Sequence, residues 1–493
     1  MQTTEAQPLY LNSTHPVTTR LRDLLARMTL DEKLAQLTSF WFNELLDGQN
    51  LSDEKMQALL ENGIGQITRV GGSSTLIPVE AARAGNAIQR FLVENTRLGI
   101  PAILHEECCS GYLGLGGTVF PQMIGLASTW NPPLAEKMTN EIRKQMLAIG
   151  ARQGLGPVLD IASDPRWGRT EETFGEDPLL VTQFGMAYIR GLQGEDATQA
   201  VMATGKHFVG HSLSSGGLNC APVQVGPRTL WDMYLMPFQA AIKEVGLWSI
   251  MNAYPDLDGE VVAASRAVLT DLLRGKLGFE GLVVSDYNAI PMINFYHHAA
   301  PDEQAAAVKA LKAGIDMELP TRICYGEPLR AALEAGEISI DEIDAVVTRI
   351  LQTKFELGLF ENPYVDENVV QLIFETAEQR ALAKEIARQS IVLLKNDGLL
   401  PLAKPRTIAV IGPNADSPRN MLGDYTYDAM LELMVLKPRP DSPFISGVDN
   451  NYLRANSVRI PSILNGIRAY VGENTKVLHA CGSEVASPDR SGF

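Results

Sequence analysis

The sequence predicts an α/β protein. It reads as a (β/α)8 TIM-like barrel over residues 1–357, a linker and connecting helix over 358–405, and an incomplete α/β sandwich domain over 406–493. Three observations predict this. Short apolar β-like runs alternate with stretches of helical periodicity, which implies a parallel sheet. Polar and ionisable residues gather where those runs end, and in a barrel the strand ends share the face that carries active sites. Near residue 357 the alternation gives way to LGLFENPYVDENVV, whose Gly, Pro and Asn read as a linker. An open doubly wound sheet is the alternative arrangement of the same units.

Taken in order, MTLDEKLAQL opens on a capping box, with Thr29 as N-cap and Glu32 as its reciprocal partner. β-like runs follow at 63–70, 100–107, 155–161, 201–208, 247–254, 281–288 and 314–320. Helical composition and apolar spacing near 3.6 predict helices over 78–95, 131–147, 228–245 and 301–314. The run ends hold His105, Glu106 and Glu107; Asp160 and Asp164; Lys206 and His207; Tyr254; Asp286; and Asp316 with Glu318. Helix capping covers some of these residues but not all the ends.

Beyond the linker, residues 375–396 predict the connecting helix, and RTIAVIGPNAD (406–416) a buried strand with a turn that lacks the dinucleotide pattern GxGxxG. TKVLHACG (475–482) is a second strand-like run. An apolar parallel strand wants neighbours and cover on both faces, and SPDRSGF resembles the capped start of a helix. The expectation is that the natural protein continues.

Composition narrows the function classes. The chain has 493 residues, 45% hydrophobic and 20% charged, with a formal net charge of −16. That balance suits a soluble globular protein and offers no basic face for nucleic acid. No apolar run approaches the roughly 18 residues of a membrane span. The start, MQTTEAQPLYLNSTHPV, has neither the basic nor the apolar region of a secretory signal. The expected location is therefore cytoplasmic as given, or periplasmic or secreted if the N-terminus was trimmed. Five cysteines without CxxC spacing fit reduced thiols better than disulfides or a zinc site.

The candidate chemistry centres on GLVVSDYNAI (281–290), where a buried-looking strand runs into Asp286. Capping a following helix and serving as a catalytic carboxylate both fit that placement. KHFVGH (206–211) sets Lys206 beside His207, a poor core pair suited to donating hydrogen bonds to sugar hydroxyls or clamping a phosphate. DPRWGRTEETFGEDP (164–178) puts Arg166, Trp167, Arg169, Glu171, Glu172 and Glu176 in one loop, as a ligand with polar edges and an apolar face would need. A self-contained Arg–Glu network is the structural reading of that loop. In HEE (105–107) only one of Glu106 and Glu107 can point into a site, because strand side chains alternate. Metal-ligand spacing of the HExxH kind is missing, so no metal is expected; no GxSxG nucleophile elbow is present, so serine hydrolase chemistry is unsupported.

These motifs, in this order, resemble glycoside hydrolase family 3: TRLGIPAILHEECCSG, PVLDIASDPRWGRTEETFGEDP, KHFVGH, SIMNAYPDLDG, GFEGLVVSDYNAI, AGIDMELP, and then RTIAVIGPNAD with GDYTY (423–427). The resemblance implies that Asp286 is the catalytic nucleophile. It implies that Arg169, Lys206, His207 and Glu107 bind hydroxyls of the terminal sugar. Tyr254 would pack beside the nucleophile, and Tyr287 would shape the leaving-group side. The acid/base of the multidomain branch is a Glu of the second domain, beyond the stretch resembling SPDRSGF. Glu484 and Glu318 do not match it. The loop after KHFVGH reads SLSSGGLN, without the Asp–His pair of the N-acetylglucosaminidase branch, and Ser110 stands where the family commonly has His.

The expected function is thus a retaining, exo-acting β-glycosidase releasing terminal β-D-glucosyl or β-D-xylosyl units, with β-glucosidase the first expectation; this glycoside chemistry needs no organic cofactor. Its partner is an oligosaccharide or glycoside substrate, with neither nucleic acid nor membrane; a homo-oligomer stays open. One alternative is a catalytically impaired sugar-binding relative, because the acid/base Glu lies beyond the chain end. A phosphate-using barrel enzyme is another, but AGIDMELPTRICYGEP supplies no Gly-rich phosphate loop.

Overall fold

Seven parallel strands lie side by side in chain order in the computed structural model, which describes residues 8–403, 405–436 and 450–485. They are Ser39–Trp41, Gln66–Thr68, Ile103–Glu106, Ala151–Gly154, Met202–Phe208, Ser249–Asn252 and Leu282–Val284. Every residue in them is buried, as expected of a parallel sheet covered on both faces. The eighth position is filled by residues 316–318. Met317 bridges Val284 on one side, while the Glu318 N–H donates to the Leu37 carbonyl at 2.9 Å on the other. Ser39 Oγ adds a 2.9 Å bond to the Glu318 carbonyl, so the sheet closes as a barrel. Helices Pro78–Asn95, Pro132–Ala148, Pro178–Gln193, Met236–Val245, Glu303–Ala313 and Ile340–Glu356 occur along the same stretch of chain.

The capping box forms as read, with Glu32 N donating to Thr29 Oγ1 and Thr29 N to Glu32 Oε2 at 2.8 Å. Helix Pro78–Asn95 matches its predicted span. Within the barrel, four elements differ from expectation. The run 155–161 is not itself a strand; the strand is Ala151–Gly154, and Pro157, which lacks an N–H, interrupts the regular ladder. The chain still bonds onward, with Leu159 N donating to the Lys206 carbonyl at 2.6 Å. Residues 314–320 make the closing bridge but no regular strand. Ser39–Trp41 is a strand that the periodicity did not reveal, being only three residues long. The helix over 228–245 breaks into Pro227–Thr229, a π-helical turn Leu230–Tyr234 and Met236–Val245, next to Pro237.

The connecting helix runs Ala377–Gln389, shorter than 375–396, and β-branched Ile391 and Val392 lie exposed after it. Strands Thr407–Ile411 and Lys476–Ala480 pair in parallel, with helices Tyr427–Leu436, Asn450–Asn456 and Ile463–Val471 between them in sequence. The strand expected to be buried is not: Val410 is covered by Leu464, but Ile411 is 64% exposed. Among the described residues, two strands leave one face without cover. SPDRSGF lies outside the described residues.

Candidate active site

Asp286 follows strand Leu282–Val284 at the carboxyl end of the barrel. Ser285 ties the turn to the closing segment, accepting from Leu319 N at 2.8 Å. Asp286 N donates to Asn252 Oδ1 at 3.2 Å, and its own Oδ1 accepts from the adjacent Tyr287 N at 2.7 Å. The helix that follows, Ala289–Phe295, begins after Asn288 in a left-handed conformation and takes no side-chain cap. The capping reading of Asp286 therefore fails. Its Oδ2 is buried, and among the described residues it has no partner at hydrogen-bond geometry.

The other six candidates gather around it. His207 Nε2 stands 3.6 Å from Asp286 Oδ2. The other side of that imidazole is held by Asp160, whose Oδ2 lies 2.7 Å from His207 Nδ1 and accepts from His207 N at 3.1 Å. Lys206 Nζ donates to Glu107 Oε2 at 3.0 Å, a pair almost wholly out of water. Arg169 grips Glu172 in a two-pronged ion pair, 2.7 and 2.9 Å. Tyr254 lies against Asp286, and its hydroxyl donates to the Tyr287 carbonyl at 2.9 Å. The Tyr287 ring packs edge-on to Trp41, and its hydroxyl meets His105 Nε2 at 3.2 Å. His105 Nδ1 faces Gln66 Oε1 at 2.7 Å, the start of a polar chain through Gln153 to Thr204 inside the barrel.

The remaining carboxylates are committed to structure. Glu106 takes the N–H groups of Gly71 and Gly72 at 2.6 and 3.1 Å. Glu318 takes three, from Ile323, Cys324 and Tyr325, at 2.8–3.0 Å. Asp316 pairs with Arg274 and Arg349. His297 Nε2 donates to the Tyr254 carbonyl at 2.9 Å.

Burial dominates the electrostatics. It pushes Asp286 up to about 6, against the downward pull of Arg169 and Lys206. The two cations act in the expected direction, but the loss of water outweighs them. Burial likewise lifts Asp160 to about 7, against Arg169 and the His207 N–H. It holds His105 down at about 3 and His207 well below the ordinary range, with nearby cations acting the same way, so both rings are neutral. Asp160, His207 and His211 offer ligand atoms within 4.8 Å of one another. Yet Asp160 and His207 already share a 2.7 Å hydrogen bond, and Arg169 and Lys206 lie close by, which disfavours a further cation.

Three residues of this cluster were not singled out as site residues by the sequence. Asp160 showed only as a strand end, and Glu172 only as one acid of a charged loop. Tyr425, in GDYTY, comes from the second domain. Its hydroxyl is 3.4 Å from Lys206 Nζ, and its ring centroid is 5.2 Å from the same nitrogen. Glu171 Oε1 accepts from Asp424 N and Tyr425 N at 2.7 and 3.2 Å, which docks that loop on the barrel.

Comparison with known proteins bears on this arrangement. Residues 29–353 match the model of the glycosyl hydrolase family 3 N terminal domain, and residues 391–489 that of its C-terminal domain. A β-xylosidase of Formosa agariphila is 36% identical over 421 residues, covering 81% of this chain and 55% of that protein. A periplasmic β-glucosidase of Salmonella typhimurium is 30% identical over 500 residues, covering 99% of this chain and 59% of that protein. The structure of a β-glucosidase from Erythrobacter marinus superposes with a TM-score of 0.85 at 33% identity, over 98% of this chain and 61% of that one. The chain thus spans little more than half the length of these relatives.

Proposed function

This chain belongs to glycosyl hydrolase family 3, and on that premise we propose that its barrel mouth is the sugar site of a retaining, exo-acting β-glycosidase. The substrate is an oligosaccharide or glycoside ending in a β-D-glucosyl or β-D-xylosyl unit. Relatives named for each sugar are matched, so the choice between them belongs to the test.

The observation that carries this reading is the state of Asp286. A buried carboxylate oxygen without a partner is costly, and here it stands among cations at the end of a barrel strand. Such an oxygen is available to attack an anomeric carbon. Arg169 and Lys206 favour its ionised form, and with its pKa near 6 it is ionised at neutral pH. Lys206 and Glu107 together offer a donor and an acceptor to sugar hydroxyls. Trp41 and Tyr287 supply an apolar wall.

A retaining mechanism needs a second carboxyl group roughly 5–5.5 Å from the nucleophile, to protonate the leaving oxygen and then activate water. We assign that role to a glutamate outside the barrel. Glu106, Glu107, Glu172 and Glu318 are each held by backbone N–H groups or by a cation, and Glu171 docks the second-domain loop. General acid help contributes typically 10²–10⁴-fold.

The test is hydrolysis of aryl β-D-glucosides and β-D-xylosides, with the first-formed product followed by NMR. Release of the β-anomer, lost in Asp286→Asn, supports the proposal. Release of the α-anomer sinks the retaining mechanism. Binding of the sugars without turnover of even the most activated aryl glycoside favours the impaired sugar-binding relative.

A further inference from the structure

His207 was expected to donate to a sugar hydroxyl; its surroundings make it an acceptor. Asp160 Oδ2 receives the His207 backbone N–H at 3.1 Å, and the same oxygen lies 2.7 Å from Nδ1. An oxygen that takes a backbone N–H is the accepting oxygen of its carboxyl group, so the proton of the short bond sits on Nδ1. The ring is neutral, which leaves Nε2 bare. Among the described residues, Nε2 is buried without a hydrogen-bond partner and so is Asp286 Oδ2; they stand 3.6 Å apart, too far for a hydrogen bond and suited to two facing lone pairs. The ring cannot easily swing away. His211 packs edge-on against it with centroids 4.6 Å apart, and His211 is itself tied to the Asn219 carbonyl at 2.9 Å.

We propose that Asp160 is a positioning residue of this site: it fixes His207 in the Nδ1–H tautomer, so that Nε2 accepts a hydrogen bond from a sugar hydroxyl held beside Asp286. The inference rests on the glycosidase reading for the identity of the hydroxyl, but not for the tautomer. It gives the pocket a requirement for a donating hydroxyl at this point, because an analogue lacking it would leave Nε2 unpaired.

The test is a ¹H–¹⁵N correlation of the imidazole nitrogens in the full chain labelled with ¹⁵N-histidine. The chain has seven histidines, and a His207→Gln sample assigns the one in question. The wild type should show Nδ1 protonated and Nε2 bare. Asp160→Asn should keep that tautomer, because the amide oxygen can take both donors in place of Oδ2. Asp160→Leu should release it, moving the proton toward Nε2 and lowering kcat/KM on an aryl glycoside about 10- to 100-fold. A proton on Nε2 in the wild type overturns the proposal, as does an unchanged tautomer in Asp160→Leu. If the leucine variant does not fold, the wild type and Asp160→Asn still decide. Absence of glycoside turnover in the wild type would remove the glycosidase reading while leaving the tautomer result to stand or fall alone.

Discussion

Asp286 concentrates the conflict that runs through the site, since burial disfavours the ionised form that the proposed attack on a sugar requires. Its carboxyl is shifted to about 6 from 3.8, so between those values the folded chain holds a proton that the unfolded chain has lost. Stability from this residue is therefore present at low pH and falls as pH rises through that window. Activity runs the other way: kcat/KM on an activated aryl glycoside should climb with pH through about 6. Asp286→Asn should abolish turnover yet raise Tm at pH 7.5 by roughly 2–4 °C, as calorimetry would show; a lower Tm would contradict the burial argument. The Lys206–Glu107 pair gives a second residue-scale prediction. Lys206→Met should cost about 3–5 kcal/mol by leaving Glu107 buried and unpaired. Lys206→Met with Glu107→Leu should recover most of that stability in urea unfolding without recovering activity. At this scale the sequence revealed residue types well and pairings poorly. KHF announced two polar residues at a strand end, but nothing in the chain said that Asp160, 47 positions away, would hold the histidine.

Elements were legible where local chemistry decides them. Thr29 and Glu32 satisfy each other's backbone donors within four residues, so the motif alone sufficed. Thr29→Ala should cost about 1 kcal/mol in equilibrium unfolding. Strands were legible when their apolar runs were long and illegible when, like Ser39–Trp41, neighbours hold them in place. The close approach of helices Pro132–Ala148 and Pro178–Gln193 could not be read at all. It depends on Gly191, where a Cβ would stand 2.1 Å from Thr139 Oγ1 and 2.3 Å from the Glu136 carbonyl. Gly191→Ala should force these helices apart and destabilise the barrel by about 1–3 kcal/mol, read from the shift in the urea midpoint; no shift would mean the helices can yield without cost.

Across the whole molecule, the barrel and the second domain differ in how completely they bury themselves. The barrel strands are covered on both faces, whereas among the described residues Thr407–Ile411 has a single strand partner and leaves Ile411 exposed. Two-stranded sheets are marginal without further cover. Amide exchange should therefore be orders of magnitude faster in Thr407–Ile411 than in Ile103–Glu106; equal protection would contradict this reading. The composition of the chain changes near residue 357. The docking of Asp424 and Tyr425 onto Glu171 was not legible in the sequence, because it joins positions more than 250 residues apart.

The central claim is that Asp286 is a nucleophile. Its most direct test is the intact mass of the full chain after incubation with 2-deoxy-2-fluoro-β-glucosyl and -xylosyl donors bearing activated leaving groups, followed by peptide mapping. Such donors need little acid assistance, so the barrel residues alone should suffice. The account predicts one covalent sugar, located on Asp286, from at least one donor. Folded protein that forms no adduct with either donor, or carries it on another residue, would contradict it.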